Sequence, residues 1–127
     1  MAVYEAVTKT NGFRVTNEER FQELLNGLSG EDVEHHEFTN SFGQIVHQIY
    51  GYCSVDYVTE DGDYDFDVFI KELQKILPDR ESVVWIEIGN EKIRYVNGVV
   101  IVITNKEVFS TTLENWAEDI IRGLKWE

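Results

Sequence analysis

Between residues 83 and 112 apolar and polar positions alternate with period two and are punctuated by turn residues, the pattern of successive β-strands. Residues 83–88 and 91–96 flank Gly89-Asn90, and 99–104 follow Asn97-Gly98; two-residue loops of this composition supply the positive φ angles that tight hairpins require. A further turn at Asn105-Lys106 leads into residues 107–112, so the segment predicts a four-strand antiparallel meander. Counted from these loops, Glu87 faces Lys92, Ile86 faces Ile93, Trp85 faces Arg94 and Tyr95 faces Val100.

The pleat then sorts Val84, Ile86, Ile88, Ile93, Tyr95, Val100, Val102 and Phe109 onto one face, an almost wholly apolar set that helices are expected to cover. The other face holds Val83, Trp85, Val96, Val99, Ile101, Ile103 and Val108, with Glu87, Lys92 and Arg94 among them. It is more apolar than a solvated face should be.

Helical spacing appears in three places. Thr16-Asn17-Glu18-Glu19 reads as a capping box ahead of Phe21, Leu24, Leu25 and Leu28, with a stop near Asn26-Gly27. Residues 65–77 place Phe66, Phe69, Ile70, Leu73, Ile76 and Leu77 on one stripe, with acids in the first turn and Pro78 just beyond the end. A last helix begins near Leu113 and carries Trp116, Ile120, Ile121 and Leu124. Residues 33–38 and 45–58 read as strands, and 5–15 as a strand or a hairpin about Asn11-Gly12. The predicted order is β-α-β-β-α-β-β-β-β-α. It implies one α+β domain over residues 1–127, an antiparallel sheet with its helices packed mainly on one face.

Composition agrees with a folded core, since 43% of the residues are hydrophobic and only one is proline. The net charge of −13 is therefore carried on a folded surface, where it disfavours nucleic acid and anionic lipid, because phosphate contacts need Lys and Arg. The asymmetry is local as well: between Arg20 and Lys71 there is no lysine or arginine, while eleven carboxylates fall there. The lone Cys53 excludes an internal disulfide, and the first residues lack a basic segment followed by an apolar run, so a cytoplasmic protein without a membrane anchor is expected.

Chemistry-bearing patterns are few. Asp61, Asp63, Asp65, Asp67 and Glu72 fall at offsets 1, 3, 5, 7 and 12 of a calcium loop, but Phe66 stands where the sharp turn requires glycine. The competing reading is an acidic turn in which Asp63 or Asp65 caps the second helix. His35, His36, His47 and Cys53 invite a zinc site, yet His47 and Cys53 on one strand would stand about 20 Å apart, and His35 and His36 point to opposite faces. No metal or cofactor is expected, with the calcium loop kept as an alternative. Neither a glycine-rich phosphate loop nor a nucleophile elbow is present, and the chain reads as a non-enzymatic protein.

Two binding surfaces follow from the pattern. Glu31, Asp32, Glu34, Glu37, Asp56, Glu60, Asp61, Asp63 and Asp65, with Tyr64 as aromatic anchor, are the candidates for contact with a basic protein surface. Tyr50 and Tyr52 are further anchor candidates. Trp85, Arg94, Ile101 and Ile103 are the candidates for a self-association face that would give a homodimer, unless the chain covers that face itself.

The stretch Tyr64-Asp65-Phe66-Asp67-Val68-Phe69-Ile70-Lys71-Glu72-Leu73-Gln74-Lys75-Ile76-Leu77-Pro78, followed by Ile86-Glu87-Ile88-Gly89-Asn90-Glu91-Lys92-Ile93-Arg94-Tyr95-Val96, resembles small acidic proteins of phages and other mobile elements in Gram-positive bacteria. The resemblance implies no site residues. It does imply a setting in which inhibitors of host defence nucleases, some of them presenting acids in place of nucleic acid, are common.

Overall fold

The computed structural model describes residues 4–91 and 95–123. Along the chain the elements are β1 (Tyr4–Thr10), α1 (Glu18–Gly27), β2 (Leu28–Ser29), β3 (Val33–Thr39), β4 (Ile45–Gly51), β5 (Asp56–Tyr57), α2 (Phe66–Gln74), β6 (Val83–Glu91), β7 (Tyr95–Ile103), β8 (Val108–Thr112) and α3 (Leu113–Gly123). Six strands form one sheet in the order β3-β4-β1-β6-β7-β8, and β2 pairs with β5 in a second small sheet. Every described pairing is antiparallel, and the fold is α+β.

β1 is central, and polar side chains let it serve two neighbours at once. Its pairing with β6 runs from Tyr4↔Glu91 to Thr10↔Trp85, whereas on the other side only Thr8↔Gly51 and Lys9↔Tyr50 pair with β4. Where β4 leaves the ladder, the Ile49 amide donates to Thr10 Oγ1 at 3.0 Å, and Thr8 Oγ1 donates to the Cys53 carbonyl at 2.8 Å. Both threonines are buried, and these bonds satisfy backbone groups that the ladder leaves open. No hairpin forms at Asn11-Gly12. Asn11 instead extends the β6 ladder with its side chain, accepting from Val84 N at 2.8 Å and donating to Ser82 O at 3.0 Å, while Phe13 goes on to bridge His47.

One sheet face carries the core. Val83, Trp85, Ile103 and Ile49 meet Phe21 and Leu24 of α1, Phe69 and Leu73 of α2, and Tyr57 of β5. Trp85 is the anchor, with its ring 4.9 Å from Phe66 and 5.8 Å from Phe69. α1, α2 and the β2–β5 pair thus form a layer over this inner face. The expected choice of face is reversed: Val84, Ile86, Ile88, Val100, Val102 and Phe109 do share a face, but it is the outer one, and α1 and α2 leave it bare. Lys92, Ile93 and Arg94 themselves lie outside the described residues, but the partners expected for Glu87, Ile86 and Trp85 are replaced by others on β7, and Tyr95 pairs with Glu91 rather than Val100.

The meander also differs in register. β6 continues through Gly89-Asn90, and β7 through Asn97-Gly98, so that Gly89 pairs with Asn97, Glu87 with Val99, Ile86 with Val100 and Trp85 with Ile101. The chain reverses between Glu91 and Tyr95, and one long hairpin of nine pairs replaces two short ones. β6, β7 and β8 run consecutively, and β1 completes the four-strand antiparallel run from the other side. The turn at Asn105-Lys106 stands as expected, closed by Thr104 N donating to Glu107 O at 2.9 Å.

Helix starts follow local chemistry. α1 is capped by Asn17, whose side chain accepts from Arg20 N, one residue later than expected; Thr16 Oγ1 donates to Ile76 O at 3.2 Å instead and ties the start of α1 to the end of α2. α2 is capped by Asp65, as the acidic-turn reading had it. The expected strand over 45–58 is interrupted, because β4 ends at Gly51 and β5 takes up only Asp56–Tyr57. At Gly51 a Cβ would overlap the Asp32 carbonyl, so only glycine lets the turn after β2 pass this closely.

Candidate functional site

A buried, hydrogen-bonded polar group lies where β3, β4 and α1 meet. His47 is 0% exposed, and both its ring nitrogens are used: Nε2 lies 2.7 Å from Glu18 Oε2 and Nδ1 lies 2.8 Å from His35 Nε2. A carboxylate can only accept, so His47 Nε2 donates; with both rings neutral, His47 Nδ1 then accepts and His35 Nε2 donates. Phe21 packs against both rings, at 4.4 Å from His47 and 5.6 Å from His35. Burial, then the neighbouring His47, lowers the His35 pKa from its ordinary value. Neither nitrogen of His47 is left for a metal.

His36 is turned to the opposite side of β3, where its Nε2 meets the Tyr50 hydroxyl, and Cys53 Sγ accepts from Asp32 N at 3.4 Å. The four expected zinc candidates are thus divided among three places. The calcium offsets are divided too. Asp65 caps α2, while Glu72 pairs with Lys75 at 2.9 Å and Arg20 at 3.1 Å, and these two cations hold its pKa below the ordinary carboxylate value. Among the described residues no group of three or more His, Cys, Asp or Glu is arranged to hold a metal ion.

The acids expected to meet a partner, Glu31, Asp32, Glu34, Glu37, Asp56, Glu60, Asp61, Asp63 and Asp65, are each exposed, as is Tyr64. Backbone pairing brings most of them into one border. Asp56 lies opposite Ser29, two residues before Glu31, and Tyr64 bridges back to Val58. Thr59 N donates to Asp63 O at 2.8 Å and closes the turn that presents Glu60, Asp61 and Asp63, with Gly62 at a φ of 88°. By chain reach, Asp32 and Asp61 each lie within about 18 Å of Asp56. Glu34 and Glu37 depart from this border, since they stand on opposite faces of β3, opposite Tyr50 and His47 respectively. Glu37 therefore belongs beside the histidine pair.

No protein-family model, curated protein or solved structure matches the chain significantly.

The proposed self-association face does not survive in its expected place. Trp85 is 3% exposed and Ile103 0%, both inside the core; Ile101 is half-buried against it, and Arg94 lies outside the described residues. The apolar content of that face is explained by α1 and α2 covering it. Tyr50 and Tyr52, the other anchor candidates, line a groove of ≈340 Å³ with Lys9 and Gln48 on the outer side of β1 and β4. What sequence reasoning missed is the Glu18–His47–His35 chain. The odd-numbered parity of His35 and His47 on neighbouring strands was a usable signal, but their register depends on the length of the loop between them. Among the described residues, no helix is long and apolar enough to cross a membrane.

Proposed function

We propose that the chain is a non-enzymatic binding protein whose acidic border occupies a basic surface of a partner protein. The observation that carries this reading is the β2–β5 pairing, which joins Glu31-Asp32 through Asp56 to the turn bearing Glu60, Asp61 and Asp63. No lysine or arginine from residue 21 to 70 interrupts the field, and these acids are exposed. Exposed tips cost the fold little, so the charge is available for association, which it accelerates in a salt-dependent way. Tyr64, 67% exposed within the border, supplies the aromatic contact that charge alone lacks. A basic nucleic-acid groove of a defence enzyme has the required chemistry and agrees with the mobile-element resemblance.

The test is a charge reversal. Asp61→Lys with Asp63→Lys changes exposed turn positions and should leave the melting temperature within a few degrees of wild type. Affinity capture from a cell lysate at low and high salt should recover basic proteins that the variant loses and that high salt releases. Capture of acidic proteins only, or retention indifferent to salt and to the reversal, would sink the proposal.

A further inference from the structure

The outer sheet face is a feature that the acidic border leaves unexplained. Its positions on β6, β7 and β8 carry no charged residue: Val84, Ile86, Ile88, Val100, Val102 and Phe109 dominate it, and Val7 extends it onto β1. Ile88 is 45% exposed and Phe109 58%. In a chain of net charge −13 with 28% charged residues, an apolar surface of this extent is not a solvated face.

α3 leaves the sheet on the same side. Its first residue, Leu113, lies where a Cβ on Gly98 would overlap it, so the glycine lets the helix root on β7. Beyond that root the helix is amphipathic, with Leu113, Trp116, Ala117, Ile120 and Ile121 on one stripe and Glu114, Glu118 and Arg122 away from it. That stripe is not used: Trp116 is 59% exposed, Ile120 48% and Ile121 50%. One chain thus carries both an open apolar sheet face and an open apolar helix stripe, side by side.

We infer that a second copy of this chain covers the outer face, with the α3 stripe of each protomer buried at a two-fold interface against the sheet of the other. Three observations select a second copy over a different partner. The two open surfaces are complementary in kind, a sheet face and an amphipathic helix, so a two-fold arrangement satisfies both at once. On β6, β7 and β8 the face also offers an uncharged approach for two strongly acidic bodies, with the exposed Lys9 at its β1 margin. The acidic border belongs to the α1–α2 layer on the far side of the sheet, and layers pack about 10 Å apart, so the two borders of a dimer stand beyond a Debye length of about 8 Å.

The third observation is area. At about 150–250 Å² for a whole large side chain, the exposed parts of Val7, Ile88, Phe109, Trp116, Ile120 and Ile121 amount to about 600 Å² per chain, before the half-buried valines and isoleucines are counted. A standard stable interface buries about 800 Å² per partner. The face is of dimer size.

The experiment is sedimentation equilibrium, with light scattering, on the full chain from about 1 to 500 μM at 0.15 M salt, with Phe109→Glu and Trp116→Glu as variants. Wild type should approach twice its 14.8 kDa mass, and each variant should raise the dissociation constant by about 30-fold or more while keeping the wild-type circular dichroism and a cooperative melt. Because both side chains are more than half exposed, loss of folding is not the expected effect, and Ser110→Glu, on the opposite face of β8, serves as a control that should still dimerise. A wild type monomeric at all concentrations overturns the inference. So does a dimer that both variants leave intact, or one that the Ser110 control disrupts equally.

Discussion

The Glu18–His47–His35 chain supports a double-mutant cycle whose size can be worked from the geometry. In Glu18→Ala the buried His47 Nε2–H loses a carboxylate acceptor at 2.7 Å. Removing one partner of a charge-assisted hydrogen bond costs about 1.5–3 kcal/mol, and because the Glu18 side chain is 42% exposed, water can reach the site, which favours the lower end, about 1.5 kcal/mol. In His47→Phe both bonds go and His35 Nε2 loses its partner, but the new ring keeps the contacts with Phe13 and Phe21; about 2 kcal/mol is expected. In the double variant Glu18→Ala has no imidazole to abandon, and only the effect of an acid in the first turn of α1 remains, about 0.3–0.5 kcal/mol. The coupling energy should therefore be about 1 kcal/mol or more. Urea unfolding followed by tryptophan fluorescence and circular dichroism measures all four corners of the cycle. A coupling below about 0.3 kcal/mol, with both single variants cooperative, would show that the carboxylate does not hold the ring and that the proton order assigned to the three groups is wrong.

The same pair sets a pH dependence. His35 binds its proton less tightly in the folded state than at its ordinary pKa of 6.5, so its contribution to stability is intact above about pH 6.5 and declines as pH falls below it; His35→Phe should flatten that part of a stability-versus-pH curve, and an unchanged slope would refute the assignment. Trp85→Ala should cost about 3–5 kcal/mol, since it empties the space between Phe66 and Phe69, whereas Phe109→Ala should change monomer stability by less than about 1 kcal/mol; melting curves at a concentration where the chain is monomeric separate the two. Asn11→Ala removes one bond to Val84 N and one to Ser82 O and should destabilise by about 2 kcal/mol, read from urea midpoints, with hydrogen exchange at the Val84 amide accelerated more than at Ile88.

Elements with strong local signals were readable from the chain. α2 has a helical apolar stripe, a capping Asp65 and a proline beyond its end, and α3 begins at Leu113 as expected, because those signals act within one or two turns. The sheet shows where local signals stop. Gly89-Asn90 and Asn97-Gly98 are both good turn sequences, yet facing each other in one ladder they allow nine pairs, and the longer ladder outweighs two local preferences. The side to be covered was likewise not decided by apolarity. The outer face is the more uniformly aliphatic, but Trp85, Thr8 and Thr10 on the inner face match what α1, α2 and the departing β4 present. In the candidate surfaces, exposure of the acids was legible because carboxylates stay in water, but their grouping was not: it depends on β2, a two-residue strand without a pattern of its own.

Charge segregation links the border to the outer face. The acids of the β2–β5 layer and the aliphatic residues of β6–β8 lie on opposite sides of the same sheet, so a dimer through the outer face directs its two acidic borders away from each other. Such a dimer would meet a basic partner twice only if that partner is itself repeated or extended; toward a single basic site, one border suffices and dimerisation adds nothing to affinity. Phe109→Glu distinguishes these cases, since it separates the protomers without touching Asp56, Asp61 or Asp63. If capture of a partner falls with Phe109→Glu by far more than twofold, the avidity of two linked borders is in use, because linked sites exceed single-site affinity by about 100-fold or more when geometry permits both to engage. If capture is unchanged while Asp61→Lys with Asp63→Lys abolishes it, the border acts alone, and the apolar face serves the protein's own assembly.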